Sequence, residues 1–326
     1  MLRFLWNQMM HRRRMQECGD LMVDSILDLK EEQTGGPKKK IRIGFAKFPC
    51  GFNPDEWNVM RLLRQVYDFE ITDQPDFLFY SIFDGDMPRG RSIKIYWCLE
   101  NLKPNFDECD WAFSQNYDED IQNPKHYRFP IYMFVDLKKK AVDFDKLREE
   151  KRKFCNFLYS HEVPSRNDFF KKLSRYKRID SPGRCMNNQA GFDPPGFMVS
   201  WLGDRSWQER TMLFLSRYKF TVAFENTSYP GYLSEKLYHP MLVNSIPIYW
   251  GNSRIDRDFN TKSFLNYHDY PNEEAFIERI IEVDKRDDLY EQYLKEPWWV
   301  GDEPPQGASQ KKLVQHFKKI FGDSIR

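Results

Sequence analysis

The chain has 326 residues, long enough for two domains of about 130 residues each with a little left over. Its 50 Lys and Arg nearly cancel 49 Asp and Glu, which argues against a general nucleic-acid binder, since that class concentrates a basic excess on one face. No run of about 20 apolar residues occurs, so no membrane-spanning helix is expected, and six cysteines without a C-x-x-C pair or zinc spacing make a metal knuckle a poor reading.

In chain order, the amino-terminal apolar stretch is interrupted by Arg3, Asn7 and Gln8 and reads as neither a cleavable signal nor a span. Leu21, Met22, Ile26 and Leu29 fall at helical spacing, and a Gly, Pro and Lys linker follows, so residues 1–40 read as a helical extension and linker. A first domain is expected over residues 41–153. Ile41 to Phe45 is β-rich, Asn53-Pro54 offers a helix start, and Val59, Leu62, Leu63 and Val66 extend a helix to Tyr67. Strand-like runs follow at Asp76 to Ile82, Ile93 to Cys98 and Trp111 to Phe113. Charge dominates residues 138–153, read as a solvated helix or loop entering a second domain over 154–300. That domain opens with a strand at Phe154 to Tyr159 and a helix at Arg166 to Tyr176. Residues 301–326 form a terminal segment in which Leu313, Phe317, Ile320 and Phe321 share one face and lysines occupy the rest. That basic amphipathic pattern suits a helix docked on the protein or one touching a membrane surface.

The stretch Phe220 to Gly251 is the most informative. A strand, a polar loop, a charged helix start and a second strand follow in succession, the layout of a right-handed crossover in a parallel sheet. Ser234 is a favoured N-cap, and Glu235 and Lys236 sit in the first turn, where unpaired backbone N–H groups attract phosphate. Pro240 removes a backbone bond and predicts a kink or a short helix. Together these residues point to a nucleotide-linked substrate.

Phe224-Glu225-Asn226, Tyr232, Ser234-Glu235-Lys236 and the strand Ile246 to Gly251 resemble the donor-binding signature of the α-1,3-fucosyltransferase family, particularly its bacterial members. The similarity extends to Trp97 to Phe113, Val163 to Phe169 and Lys262 to Asp269. The resemblance implies an α/β protein of GT-B architecture, with two Rossmann-like domains facing a central cleft, the acceptor in the first and the donor in the second. It implies an inverting enzyme that moves fucose from GDP-fucose to a hydroxyl, O3 as first choice, of GlcNAc in a LacNAc-type glycan. A transferase using another nucleotide sugar and an inactive glycan-binding protein are the competing readings.

By that resemblance Lys236 and Arg166 hold the diphosphate, Asn226 and Tyr232 hydrogen-bond it, and Glu235 accepts from a donor sugar hydroxyl, with Glu225 and Ser234 in the same donor set. Glu100, in a stretch resembling the family's E-N-x-x-P element, takes the role of general base, with Asn101 and His126 toward the acceptor. Taken alone, Lys236 reads as a solvated lysine, Asn226 as a turn former and Glu100 as a solvated strand-end carboxylate. The D-x-D pairs at Asp84, Asp118 and Asp256 are common by chance. Two fixed cations make a divalent metal unnecessary, so no obligatory cofactor is expected. The cysteines and the lack of a signal suggest reduced packing thiols in a cytoplasmic protein, with the terminal segment as the one candidate for contact with the inner membrane surface.

Overall fold

The computed structural model describes residues 37–88, 90–134, 142–150, 152–189, 205–305 and 309–322. The helix expected over residues 15–30, Cys18 and much of the charged stretch before residue 142 lie outside them. The chain forms two compact units dividing near residue 136, and residues 230–232 and those from 305 onward group with the first. The sequence placed that division at 153 and kept the terminal segment apart.

In the first unit β1 (Lys39–Ala46), α1 (Asn58–Leu63), β2 (Tyr67–Ile71), β3 (Phe77–Tyr80), β4 (Ile93–Cys98), β5 (Trp111–Ser114), α2 (Asp118–Ile121) and β6 (His126–Arg128) follow in order. Every strand pairs in parallel, in the order β2-β1-β3-β4-β5-β6. Ile43, Phe79, Ile95 and Phe113 are fully buried in it, as expected of a parallel sheet covered on both faces. The helix expected to reach Tyr67 is only the six-residue α1, because Tyr67 opens the edge strand β2. Asn53 caps no helix; its side chain accepts from Asp55 N at 3.1 Å in a local turn.

A helix at Gln310–Ile320 docks on this sheet. Leu313 and Phe317 are fully buried, Phe317 stacks on Phe113 at 4.8 Å, and Phe321 beyond the helix meets Tyr67 and Phe77 edge-on. Each such side chain contributes about 1.5–3 kcal/mol of burial. Its apolar face is therefore covered by protein, as in the docked-helix reading of this segment. Among the described residues no helix is long and apolar enough to cross a membrane. Five described cysteines are unbonded; Cys98, Cys109, Cys155 and Cys185 are buried and Cys50 is exposed.

The second unit contains α3 (Phe144–Glu149), β7 (Lys153–Asn156), α4 (Pro164–Leu173), β8 (Ile179–Asp180), α5 (Arg205–Leu215), β9 (Tyr218–Phe224), α6 (Glu235–Leu242), β10 (Ile246–Trp250), β11 (Leu265–Asn266), α7 (Glu273–Lys285) and α8 (Asp287–Lys295). Its strands are again all parallel, ordered β11-β10-β9-β7-β8 around a core of Phe169, Phe220, Ile248, Leu265 and Phe276. Both sheets are doubly wound, and their order reverses between β1 and β3 and between β7 and β9. Open α/β sheets place ligands at the carboxyl ends of the strands flanking such a reversal. Two doubly wound parallel sheets are the components of a GT-B fold.

Candidate active site

The sequence-marked donor residues other than Tyr232 gather past the carboxyl end of β9, at the reversal point of the second sheet. Arg166, on the first turn of α4, is 2% exposed and lies across the Tyr159 ring with its guanidinium carbon 3.9 Å from the centroid. Its Nη2 donates to Phe224 O at 3.1 Å and to Asn226 Oδ1 at 2.9 Å, while Nε has no hydrogen-bond partner among the described residues. Tyr159 in turn donates to Val222 O at 2.8 Å and accepts from Phe224 N at 2.8 Å, pinning the end of β9. Nothing in the sequence marked Tyr159 beyond its place at a strand end.

Ser234 is the N-cap of α6, its hydroxyl accepting from Lys236 N at 3.4 Å. That helix is only eight residues long, with Pro240 inside it, so the first turn carries most of its electrostatic effect. Glu225 is fully buried; Ser234 donates to its carboxylate through N at 2.7 Å and through Oγ at 2.8 and 2.9 Å. Fully buried and held by Ser234, Glu225, grouped by sequence with the donor ligands, lies behind the loop that it shapes. Gly251 faces it at a distance where an added Cβ would meet the Glu225 Cγ and the Tyr249 hydroxyl, each at 2.7 Å.

Lys236 Nζ lies 3.4 Å from Glu235 and 3.7 Å from Glu225, and bonds Ser234 Oγ at 3.0 Å. Burial opposes the ammonium charge, but the two carboxylates outweigh it and hold the pKa above the ordinary lysine range. Burial also works against the Glu235 carboxylate, and Lys236 and His239 offset it to leave Glu235 below its usual range. Burial raises Glu225, which Lys236 only partly counters. His239 on the same helix is pushed down to about 4, first by burial. The helix start is thus a charged, water-poor corner with Lys236 as its cation.

The first unit carries the other sequence-marked residues. Glu100 follows β4 and is half-buried, and its Oε2 accepts from the Tyr232 hydroxyl at 3.3 Å. Tyr232, read from sequence as a ligand of the diphosphate, is 4% exposed and belongs to the same compact unit as Glu100. Asn101 is half-buried beside Glu100. His126, expected to face the acceptor, does not: its side chain is inaccessible, Nε2 is paired with Ser114 Oγ at 2.8 Å and Nδ1 with Asp118 Oδ1 at 2.7 Å. Both ring nitrogens are spent inside the protein, leaving no atom to bind a sugar.

Residues 148–319, more than half of the chain, match the family model described as the C-terminal part of glycosyltransferase family 10 (fucosyltransferase). The chain belongs to glycosyltransferase family 10. The model of the α-(1,3)-fucosyltransferase FucT N-terminal domain matches residues 43–135 of this family 10 chain. A protein of Acanthamoeba polyphaga mimivirus, provisionally named a fucosyltransferase, is 30% identical over 96% of this chain and 54% of its own length. The α-(1,3)-fucosyltransferase FucT of Helicobacter pylori is 28% identical over 80% of this chain and 61% of its own length. The chain therefore spans little more than half the length of these curated relatives. A crystal structure of an α1,3-fucosyltransferase with GDP-fucose superposes with a TM-score of 0.71 at 23% identity, covering 93% of this chain and 97% of the other; at that identity it shows a common fold.

Of the D-x-D pairs at Asp84, Asp118 and Asp256 in this family 10 chain, one is engaged elsewhere, since Asp118 accepts from His126 and from Arg128 N. Asp258 of another pair is 1% exposed. Among the described residues no group of three or more His, Cys, Asp and Glu side chains converges as a metal site.

Proposed function

We propose that this protein transfers L-fucose from GDP-fucose, with inversion, to a hydroxyl of GlcNAc in a LacNAc-type glycan, O3 being the first choice. The observation that carries the reading is the cationic cradle at the reversal of the second sheet. Arg166 is buried with an Nε that has no partner among the described residues, and Lys236 is held charged in the first turn of α6. Leaving diphosphate needs stabilisation of its developing charge, and fixed cations with a helix N-terminus provide it. The relatives named as α-(1,3)-fucosyltransferases, and the shared fold of a structure that binds GDP-fucose, support GDP-fucose as the donor.

In this reading the acceptor hydroxyl oxygen attacks the fucose anomeric carbon as the bond to the GDP oxygen breaks. The bonding pair leaves with GDP, and the hydroxyl proton passes to Glu100. Asn226 and Glu235 line the donor, with Ser234 and Glu225 setting their loop, and Asn101 faces the acceptor. No metal is assigned a part.

The test is radiolabelled transfer from GDP-fucose to lactose, LacNAc and its isomer, with NMR of the product linkage, alongside calorimetric titration of GDP, GDP-fucose and UDP sugars. Binding of GDP-fucose with transfer to LacNAc is expected. Binding of a UDP sugar in its place overturns the donor, and nucleotide binding without transfer overturns the enzyme. Glu100→Gln is expected to keep GDP affinity while reducing turnover on the order of 10² to 10⁴-fold.

A further inference from the structure

The backbone around Glu100 is held from both sides by two consecutive residues leaving β5. The side-chain amide of Gln115 donates to Leu99 O at 2.6 Å, and that of Asn116 donates to Leu102 O at 2.8 Å. These two carbonyls bracket Glu100 and Asn101. Both amides are buried, Gln115 at 1% and Asn116 at 3% exposure, and a buried amide is costly unless its hydrogen bonds are made. Gln115 is also tied at its other end, its Oε1 accepting from Ile131 N at 3.2 Å.

The orientation of Asn116 is set by a directed chain. Its Nδ2 also donates to Ser114 Oγ at 3.0 Å, the Ser114 hydroxyl pairs with His126 Nε2, and His126 Nδ1 pairs with Asp118. Were the amide reversed, its oxygen would oppose both the Leu102 carbonyl and the Ser114 oxygen that the chain engages. His126 thus has a use, three hydrogen bonds removed from the Leu102 carbonyl. A third hold comes from residues 230–232. Gly231 adopts φ +87°, and a Cβ there would lie 2.4 Å from Gln115 O. That close approach sets the next residue, Tyr232, with its hydroxyl on the Glu100 carboxylate.

We propose that Gln115 and Asn116 are positioning residues for Glu100, fixing the direction from which its carboxylate meets the acceptor hydroxyl. The proposal rests on Glu100 as the general base. A base acts only within a hydrogen bond's reach of the proton it takes, and misplacement of a reacting group by about 1 Å costs on the order of 10²-fold in rate. A flexible connection after a strand does not provide that accuracy by itself; two buried amides on a rigid strand end do.

Gln115→Met and Asn116→Leu remove the donors at similar side-chain volume. In the full chain each is expected to lower kcat roughly 10- to 100-fold while the KM for GDP-fucose stays within about twofold. In a Glu100→Gln background the same changes are expected to cost nothing further, because residues that act through one group are not additive with its loss. Unchanged kcat in both single variants overturns the proposal, and so does an undiminished further loss in the Glu100→Gln background, which marks a general structural defect. Thermal unfolding reports folding, and where Asn116→Leu fails to fold, Gln115→Met decides alone. Full turnover by Glu100→Gln itself removes the base and the proposal with it. An inactive Glu100→Gln beside fully active positioning variants removes the proposal alone.

Discussion

Gly251 and Glu225 stand so close that a single methyl group on the glycine would lie 2.7 Å from the Glu225 side chain. Glu225 holds Ser234, and Ser234 caps the helix that carries Lys236, so this contact sets the donor corner from beneath. Gly251→Ala is expected to destabilise the fold by about 1–3 kcal/mol through overpacking. It is also expected to weaken GDP binding. Thermal unfolding and calorimetry check both, and a variant with unaltered GDP affinity separates the contact from the donor corner.

Lys236 is the cation that Glu225 and Glu235 share. Lys236→Met leaves two carboxylates facing each other in a water-poor corner, and a loss of about 3 kcal/mol in stability is expected. GDP affinity should fall roughly 30-fold or more with the loss of a charge-assisted contact. Lys236→Arg should recover most of the stability. Equal GDP affinity in wild type and Lys236→Met, at low and high salt, removes Lys236 from the phosphate site.

Acid is expected to loosen the terminal helix through His316. His316 is buried against Trp111, Phe113 and Tyr127, its Nε2 has no partner among the described residues, and its pKa is pushed down to about 4 by burial, with Lys319 adding to the effect and Asp118 opposing it. The unfolded chain protonates this ring below about pH 6.5, whereas the folded chain does not until about pH 4. The contribution of neutral His316 is therefore complete above the unfolded value and declines as pH falls from there toward the folded one, by at most about 3 kcal/mol. Melting temperatures at pH 7 and 5 should converge in His316→Leu relative to wild type. An unchanged difference places the acid sensitivity elsewhere, with His239 on α6 as the next candidate.

Chelation is expected to leave transfer within about twofold of its initial rate, since the proposed function assigns Lys236 and Arg166, not a divalent ion, to offset the diphosphate charge. Transfer assays with EDTA, then with added Mg²⁺ or Mn²⁺, check it. Activity abolished by EDTA and restored by metal refutes metal independence.

The β9–α6–β10 crossover was legible because two apolar β-rich runs enclose a serine N-cap, and these are local signals. The helix predicted through Tyr67 failed for a local reason too. Val59, Leu62, Leu63 and Val66 keep a helical period right up to an edge strand whose own residues are mostly exposed and give little alternation. Glu225 was recognised at the end of an apolar strand and His126 beside an aromatic stretch, but their burial depends on partners that folding brings together, Ser234 nine residues on for one, and Ser114 and Asp118, 12 and 8 residues back, for the other. The same holds for Tyr159, whose three bonds to β9 join residues more than 60 positions apart. Chain proximity carries no trace of such partners.

The first unit is assembled from three separated stretches of chain, with residues 230–232 and the terminal helix inserted beside the main one. Its chemistry consequently cannot be inherited or transplanted as one contiguous block. Recombination between relatives near residue 136 would pair one parent's Glu100 and Gln115 with the other parent's Gly231, Tyr232 and Phe317. Acceptor preference should then travel intact only among parents whose three stretches were exchanged together.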